Sequence, residues 1–239
     1  MRLDKLVAQS AGLSRTQARD LIRAGRILVE NKAVLSADFQ VDEQAEINLN
    51  GRTLTTKTER HIMLNKPAGL LTAARDLRAA TIMDLLPPQF EKIKCMPVGR
   101  LDKDTSGLLL LTTDGELAHR LLSPKRKIAK TYQALVEGRL DQRDADAFQN
   151  GIVLTDFTAK PARLTILQAD EKRSLALAVL HEGKNRQVRR MFGSLGHEVL
   201  ELKRLQFGPI ARDEHLAIGE YRDLTREELD ALKEAVNFV

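Results

Sequence analysis

The chain has 239 residues, of which 43% are hydrophobic and 30% are charged, and its formal net charge is +5. This composition is typical of a folded domain and excludes a disordered, low-complexity chain. The positive balance favours a polyanionic partner such as nucleic acid. A single cysteine, Cys95, excludes an internal disulfide. Because no signal peptide or long apolar stretch is recognisable, we expect a cytoplasmic protein without membrane association.

The first fifty residues predict a small unit that begins with two helices. The first helix ends at Gly12, a residue that suits a helix C-terminus. The second begins at Ser14, where Ser14 and Gln17 have the spacing of a capping box, and it ends at Gly25. Short extended segments and polar turns follow these helices.

A basic stripe follows one face of the second helix. Arg15, Arg19 and Arg23 recur every four residues and together cover an arc of roughly 80° on a helix of ordinary geometry. Such a stripe is either a solvated helix face or a ridge that contacts the phosphates of a nucleic acid. The pattern alone leaves both readings open.

The end of this unit is marked by turn and linker signals. Strands are predicted at Arg26–Glu30 and Ala45–Leu49, and Asn50–Gly51 is a strong turn signal. Residues 52–60 are polar with few apolar positions, so we predict a linker there and a domain boundary near residue 58.

The remaining chain mixes strands and helices. Strands are predicted at His61–Leu64, Gly107–Thr112, Lys130–Val136, Ala162–Leu167 and Leu175–Leu180. Helices are predicted at Thr81–Leu86, Asp114–Leu122, Asp141–Asn150, Asn185–Leu195 and Thr225–Ala235. Because successive strands are joined by short polar turns, the pattern favours an α+β domain with antiparallel neighbours.

A polar loop between Gly99 and Gly107 is the most informative segment for chemistry. It leads into a hydrophobic strand, so a rigid element could present Asp102 or Asp104 in a cleft. The same aspartates could instead cap a turn by bonding their own backbone. A metal-dependent nuclease built on both carboxylates is a further reading.

Three other segments carry candidate functional residues. Arg186, Arg189 and Arg190 lie near the start of a predicted helix, where guanidinium groups could bind phosphate or pair with an acid. Lys66 precedes a Pro–x–Gly turn at a strand end. Tyr132 enters a strand, where an aromatic side chain is either core or a platform for a nucleobase.

These segments together resemble the pseudouridine synthases of the RsuA-like branch. The loop matches the motif G-R-L-D-x-x-[ST]-x-G-L, with the family's aspartate at Asp102. The motif L-N-K-P-x-G begins at Leu64, and K-x-Y ends at Tyr132. The motif E-G-[KR]-x-x-Q-[VI]-[RK]-R-M begins at Glu182. Its [RK] position, the family's basic residue, is Arg189.

The N-terminal unit resembles an αL-type S4 RNA-binding domain, through R-L-D-K at residues 2–5, Ser14, Arg15 and Gly25. With it, the resemblance covers nearly the whole chain. It implies an S4 domain with linker at residues 1–58. It also implies an α+β catalytic domain at residues 59–239, built on a long, mainly antiparallel mixed sheet.

The resemblance implies an isomerase that detaches uracil from its ribose carbon, rotates it and rejoins it through carbon 5. Asp102 would attack the ribose or the base, or assist departure of the base, and these routes stay open. Arg189 would pair with Asp102 and hold it ionised. Tyr132 would stack under the flipped uracil and could move a proton at the sugar. Leu202 would pack beside the active site.

RNA contacts are expected from both domains. Arg100 is expected to fill the space that the flipped base leaves. The full set of expected RNA-binding residues is Lys5, Arg15, Arg19, Arg23, Lys66, Arg100 and Arg186. We expect no cofactor, because the reaction needs no group donor and the sequence contains no Gly-rich phosphate loop. We expect no metal site either, because the five histidines are scattered.

The RNA target is less sharply indicated. Lys160-Pro161-Ala162 resembles the small-subunit enzymes, whereas Glu182–Arg189 resembles the large-subunit enzymes. We favour 16S rRNA, free or in an assembling ribosomal particle, with 23S rRNA as the alternative and a monomeric enzyme. A non-catalytic S4-type ribosome-assembly factor is the alternative from another class.

Overall fold

A computed structural model describes residues 1–42, 45–54 and 59–238 of the chain. These residues form two compact units. Unit 1 comprises Met1–Arg60 together with Leu86–Met96 and Thr112–Asp114, and unit 2 comprises His61–Leu85, Pro97–Leu111 and the chain from Gly115 onward. The predicted domain boundary at residue 58 lies outside the described residues. Sequence reasoning did not foresee that two later segments group with unit 1.

Unit 1 pairs three helices with a small antiparallel sheet. Its elements are α1 (Leu3–Ala11), α2 (Arg15–Arg23), β1 (Ile27–Val29), β2 (Lys32–Ala33), β3 (Ile47–Leu49), β4 (Arg52–Leu54) and α3 (Gln89–Lys92). The strand order is β2-β1-β3-β4. The predicted capping box at Ser14 and Gln17 is confirmed, and Gly12 ends α1 in the left-handed conformation.

The core of unit 1 follows from helical and strand periodicity. Leu3, Leu6 and Val7 of α1 are completely buried, as are Ala18 and Ile22 of α2. These side chains pack against the buried faces of β1 and β3. The apolar stripe therefore faces inward, which leaves the opposite faces of both helices for charged residues.

The prediction of a linker at residues 52–60 is wrong for its first three residues. Arg52–Leu54 forms β4, which pairs with β3 in the register Ile47 to Leu54. Residues 55–58 lie outside the described residues. The polar composition misled the prediction because β4 buries only one side chain, Leu54, while its other two residues face solvent.

Unit 2 contains the remaining elements, some of which begin or end in the segments assigned to unit 1. Its strands are β5 (His61–Lys66), β6 (Met96–Pro97), β7 (Thr105–Thr112), β8 (Lys130–Glu137), β9 (Ile152–Val153), β10 (Thr158–Ala159), β11 (Arg163–Ala169), β12 (Arg173–Leu180), β13 (Val199–Phe207), β14 (Ile210–Ala211) and β15 (Tyr221–Asp223). Its helices are α4 (Gly115–Leu122), α5 (Gln142–Asn150), α6 (Gln187–Ser194) and α7 (Arg226–Ala235). Of the helices described here, none is long and apolar enough to span a membrane.

A nine-stranded mixed sheet organises unit 2. Its main order is β11-β12-β8-β13-β7-β5-β15, with β14 beside β13 and β6 beside β7. The pairs β11–β12, β12–β8, β8–β13 and β5–β15 are antiparallel, and β13 runs parallel to β7. The predicted α+β fold with a long, mainly antiparallel mixed sheet is confirmed.

Two hydrophobic clusters pack on this sheet. One is built on β8, β12 and β13 and includes Phe148 of α5 and Phe192 of α6, whose ring centroids are 4.9 Å apart. The other is built on β5 and β7 and includes Leu117 of α4 and Leu232 of α7. The strand that joins the two halves is β13.

Sequence reasoning missed β13 altogether. Its residues, V-L-E-L-K-R-L-Q-F, include three charges, so the segment lacks the continuous apolar pattern of a central strand. The helix predicted at Thr81–Leu86 is only a 3₁₀ turn at Ile82–Leu85. Helix α6 begins at Gln187 after Arg186, not at the predicted Asn185.

Gly107 permits the close approach of β13 to β7. Its φ is +99°, and a Cβ atom placed there would lie 2.3 Å from the backbone oxygen of Arg204. Residue 107 pairs with Arg204 in the parallel register. Only glycine meets both requirements, because it lacks the side chain that would clash.

We expect Gly107→Ala to lower the free energy of unfolding by at least about 2 kcal/mol, because the new methyl group meets a strand backbone and the left-handed φ is strained. Chemical denaturation measures this loss. The matched control is Gly115→Ala, where a Cβ meets nothing within 4 Å. A loss in the control as large as that in Gly107→Ala would contradict the steric argument.

Candidate active site and basic surfaces

Asp102 lies in the loop that leads into β7. Its residue is half-buried, and its carboxylate makes no hydrogen bond or ion pair with any residue that the structure describes. The preceding residue is fixed, because the Leu101 carbonyl accepts a hydrogen bond from Thr72 Oγ1 at 2.8 Å. The loop backbone is thus held while the Asp102 carboxylate stays available.

Lys66 contacts several backbone carbonyl groups of and around this loop. The residue is completely buried at the end of β5. Its ammonium group donates to the carbonyl oxygens of Pro67 and Thr105, both at 2.9 Å, and lies 3.3 Å from those of Asp102 and Lys103. The predicted RNA contact is therefore wrong: Lys66 is buried and binds the Asp102 loop instead.

The buried position of Lys66 also lowers the pKa of its ammonium group. Burial lowers its pKa to about 8, and the negative charges of Asp104 and Asp102 oppose that shift. A buried ammonium needs several acceptors to compensate for lost hydration, which the loop carbonyls supply. Lys66 is a part of the site that sequence reasoning assigned to the wrong partner.

Asp104, rather than Asp102, pairs with Arg186, which precedes α6, and with Arg189 of α6. Arg186 donates to both Asp104 oxygens at 3.3 and 3.2 Å. Arg189 Nε lies 3.3 Å from Asp104 Oδ2, and its second guanidinium nitrogen donates to the Asp104 carbonyl at 3.0 Å. The predicted ion pair between Arg189 and Asp102 is therefore wrong in this structure.

The arginines lower the pKa of Asp104. Partial burial alone would raise the pKa of Asp104, but the hydrogen bond from Arg186 and the charge of Arg189 outweigh it, so the pKa is lowered. Arg189 also donates to the Val199 carbonyl at 2.7 Å, which fixes its guanidinium between α6 and β13.

Tyr132 and Leu202 lie on strands beside the loop. Leu202 is buried and pairs with Thr105 of β7 on one side and Ala134 of β8 on the other. Tyr132 lies on β8, two residues from Ala134, and packs against the same cluster as Leu202. With β13 between them, β7 and β8 are about 10 Å apart, so both predicted residues lie near the Asp102 loop.

Arg100 is exposed next to Leu101, and its role in filling the space of the flipped base stays a prediction. In the part of the chain that the structure describes, no group of three or more His, Cys, Asp or Glu residues could hold a metal ion.

Unit 1 carries a second cluster of charged residues, centred on Asp4. This carboxylate is completely buried. It accepts hydrogen bonds from Arg2 at 3.1 and 3.2 Å, from Arg15 at 3.2 Å and from Arg19 at 3.1 Å. The three arginine side chains remain 42 to 53% exposed, so one buried anion orients three cations that still face solvent.

Asp4 was missed as a functional residue, although the sequence carried a signal. It follows the completely buried Leu3 near the start of α1, three positions before Val7 on the same helix face, where an unpaired carboxylate would be costly. Burial alone would raise its pKa, but the hydrogen bonds from Arg2, Arg19 and Arg15 lower it well below the usual value.

The basic stripe of α2 is therefore divided. Arg15 and Arg19 bind Asp4, whereas Arg23 contacts no acidic partner among the described residues, and neither does Lys5 of α1. Both Arg23 and Lys5 are exposed. Unit 1 therefore presents two kinds of exposed cation, those that bind Asp4 and those without an acidic partner among the described residues.

We expect Asp4→Asn to lower the free energy of unfolding by about 1–2 kcal/mol, since charge-assisted hydrogen bonds are lost but the half-exposed arginines regain water. Thermal or chemical denaturation measures the change. The control is Asp20→Asn, an exposed carboxylate on the same helix as Arg19. Equal stability of the Asp4 and Asp20 variants would contradict the anchoring role.

We expect Lys66→Met to destabilise the fold by about 2 kcal/mol at pH 7, because buried carbonyl groups lose their donor. Hydrogen exchange should accelerate at the Thr105 amide, which bonds the Asp102 carbonyl at 3.1 Å. Lys125→Met, a change at an exposed lysine, serves as the control. Unchanged exchange at Thr105 would show that Lys66 does not hold the loop.

The difference in stability between wild type and Lys66→Met should depend on pH. The folded pKa of Lys66, about 8, lies below the value of about 10.4 for an unperturbed lysine. Between these values the unfolded chain binds a proton that the folded chain has released, so the contribution of Lys66 to stability rises with pH. The stability difference between wild type and Lys66→Met should therefore widen between pH 8 and pH 10. A constant difference would contradict the lowered pKa.

Comparisons with known proteins agree with these features. Residues 60–194 match the family model described as RNA pseudouridylate synthase, and residues 1–47 match that of the S4 domain. The chain is 37% identical to ribosomal small subunit pseudouridine synthase A of Vibrio vulnificus, over 97% of this chain and 99% of that protein.

Relatives named for the other ribosomal subunit are equally similar. Ribosomal large subunit pseudouridine synthase B of Bacillus subtilis is 37% identical over 97% of this chain and 95% of that protein. A crystal structure of a pseudouridylate synthase superposes with a TM-score of 0.68 at 36% identity, over 97% of this chain and 99% of the other. The chain therefore belongs to the RNA pseudouridylate synthase family, and its resemblance to the RsuA-type enzymes with an N-terminal S4 domain is confirmed.

Proposed function

We propose that this protein isomerises one uridine of 16S rRNA to pseudouridine, with Asp102 as the catalytic group. The observation that carries the proposal is the environment of Asp102. Its carboxylate has no partner among the described residues, while Lys66 and Thr72 hold the backbone around it. A fixed backbone with an unengaged carboxylate suits a group that must reach a reacting atom.

We assign Arg189 a positioning role in place of the direct partnership with Asp102. Arg189 and Arg186 both bind Asp104, which lies two residues after Asp102 on the same loop. The arginines thus act on the Asp102 loop through Asp104. When RNA binds, their guanidinium groups also lie where phosphate oxygens would be attracted.

We assign Tyr132 to the base itself. Its ring lies on β8, beside the strand that carries Leu202. A flipped uracil needs a flat surface to replace the stacking that it loses in the RNA. Leu202 packs beneath this region and keeps it dry, which strengthens the electrostatic interactions of Asp102.

We assign the S4 domain to the RNA that flanks the target uridine. Asp4 holds Arg2, Arg15 and Arg19 in fixed orientations, so little side-chain entropy is lost when they meet phosphates. Arg23 and Lys5 add exposed charges to the same unit. We further propose that the protein acts on ribosomal RNA in the cytoplasm as a monomer.

The choice of 16S over 23S rRNA rests on Lys160-Pro161-Ala162. The Lys160 amide donates to Glu182 at 2.8 Å, so this segment contacts the segment that resembles large-subunit enzymes. The segment that resembles small-subunit enzymes and the segment that resembles large-subunit enzymes therefore belong to one surface. The similarity to a large-subunit synthase supports 23S rRNA as the second candidate.

The test is pseudouridine mapping by carbodiimide-stop primer extension on unmodified 16S and 23S rRNA and on partly assembled particles. We expect one new stop in 16S rRNA with wild type. Asp102→Asn should lower the rate by at least about a hundredfold, since a group in contact with the reacting atoms is lost. Asp146→Asn, which alters an exposed carboxylate on α5, is the matched control.

The alternative outcomes separate the parts of this proposal. A stop only in 23S rRNA would contradict the assigned target but not the chemistry. A stop that persists in Asp102→Asn would contradict the assigned catalytic residue. No stop in any substrate, with RNA binding retained, would favour a non-catalytic RNA-binding protein.

A further inference from the structure

Lys130 and Arg204 are two cations next to Tyr132 to which the proposed function assigns no part. Arg204 is only 2% exposed, and Lys130 is half-buried. Arg204 lies directly opposite Tyr132 on the sheet, and Lys130 lies opposite Phe207. Directly paired residues of antiparallel strands point to the same face, and a bulge between Arg204 and Gln206 brings Phe207 to that face as well. Lys130, Tyr132, Arg204 and Phe207 therefore form one block of side chains.

The contacts of the two cations orient them without neutralising them. Lys130 Nζ donates to the Ile128 carbonyl at 2.8 Å, and Arg204 Nε donates to the Leu108 carbonyl at 2.8 Å. Both cations also lie against the ring of Phe207. Lys130 Nζ is 5.3 Å and Arg204 Cζ is 5.2 Å from the ring centroid. Carbonyl dipoles and the aromatic ring attract cations but leave their net charge in place.

The positive charge of this block has no acidic counterpart within the described residues. Neither Lys130 nor Arg204 forms an ion pair with an Asp or Glu there. Arg204 Nη2 is buried and has no hydrogen-bond partner in the same part of the chain. Burial and the charge of Arg204 lower the pKa of Lys130 to about 8. Because unpaired buried charges are costly, we expect the negative partner of this block to arrive with the substrate.

The reaction places negative charge on the uracil ring. If the bond between N1 and the ribose carbon breaks first, its electron pair leaves with the base and is shared with the carbonyl oxygens. If a carboxylate first attacks carbon 6, an electron pair also moves to a carbonyl oxygen. In both routes the ring stays negative until carbon 5 bonds to the ribose carbon, after which carbon 5 loses a proton and N1 gains one. Fixed cations in a buried site stabilise such a developing charge strongly.

We propose that Arg204 and Lys130 are positioning residues that hold positive charge beside Tyr132 and so stabilise the negative charge that develops on the uracil. This inference rests on the proposed function for the position of the uracil at Tyr132. The two cations act across a short distance, and not by contact with RNA phosphates. They are separate from Arg189, which binds Asp104.

The first test measures the chemical step apart from RNA binding. RNA that carries tritium on carbon 5 of its uridines releases the tritium as pseudouridine forms, and single turnovers with saturating enzyme report this step alone. With 16S and 23S rRNA as substrates at pH 7, we expect Lys130→Met and Arg204→Met each to slow it at least about tenfold. RNA affinity, measured by filter retention, should stay unchanged.

Conservative variants separate the charge from the packing. Lys130→Arg and Arg204→Lys keep the positive charge, so each should react faster than the Met variant at the same position. Chemical denaturation shows which variants fold. If Arg204→Met does not fold, the Lys130 series decides, because Met matches the aliphatic stem of this half-buried lysine. Lys130 variants that fold and match the wild-type rate would overturn the inference.

The matched control is Arg173→Met, which removes an exposed cation from the same sheet. Arg173 lies on β12, seven residue steps and about 23 Å from Leu180, the residue opposite Lys130. The rate of this control should equal that of wild type. An equal loss of rate in Arg173→Met and Lys130→Met would overturn the inference, because the effect would not depend on distance from Tyr132.

The pH dependence is a readout that a structural role alone would not change. Because the pKa of Lys130 is about 8, its charge is present below pH 8 and lost above it, whereas an arginine stays charged. The wild-type rate divided by that of Lys130→Arg should therefore fall about tenfold between pH 7 and pH 10. A constant ratio would overturn the contribution of the Lys130 charge.

Other titratable groups are common to both proteins and cancel from this ratio. Lys66, whose pKa is also about 8, is one of them. Gly183 packs against Lys130, since a Cβ there would lie 4.0 Å from Lys130 Cε. The charged or titratable side chains on the elements around Lys130 are those of Arg204, Tyr132, His181, Glu182 and Lys184.

These readouts separate this inference from the proposed function. Loss of tritium release in Asp102→Asn, with Met variants as fast as wild type, would support the proposed function and overturn the inference. Weaker RNA binding and a shallower salt dependence in the Met variants, without a slower chemical step, would show phosphate contacts and also overturn it. No tritium release by wild type would contradict both.

Discussion

The buried ammonium of Lys66 is the interaction on which the site depends. It gathers carbonyl oxygens of Pro67, Asp102, Lys103 and Thr105 around one positive charge. Two of them also accept backbone hydrogen bonds, Asp102 from the Thr105 amide and Lys103 from the Gly69 amide. Because buried carbonyls that lack a donor are costly, a single side chain from β5 adds to these backbone bonds in holding the loop. The lowered pKa of Lys66 is the counterpart of this burial.

Three aspartates of this chain show how surroundings assign a role to one chemical group. Asp4 and Asp104 each bind arginines, and in both the pKa falls because those cations outweigh the effect of burial. Asp102 binds no cation through its carboxylate within the described residues. Since Asp104 engages Arg186 and Arg189, it keeps both guanidinium groups from neutralising Asp102. The pairing thus leaves one carboxylate available for chemistry.

Sequence patterns predicted the elements whose stability is local. The capping box at Ser14, the strand into which the Asp102 loop leads and the α+β class could be read from spacing and composition. Strand β13 could not, because Arg204 and its charged neighbours break the apolar pattern, and only pairing with β7 and β8 stabilises it. The partner of Arg189 could not be predicted either, because a motif names residues but does not say which of two nearby carboxylates a guanidinium contacts.

The arginines of the two clusters point to a shared principle of RNA affinity. An arginine on a flexible stem loses rotational freedom when it meets a phosphate, and that loss weakens binding. A carboxylate that already holds the guanidinium removes much of this loss before RNA arrives, but it also cancels part of the charge. At Asp4 three arginines share one acid, and at Asp104 two do, so each cluster keeps a positive excess. Order is therefore gained at both places while attraction for phosphate is retained.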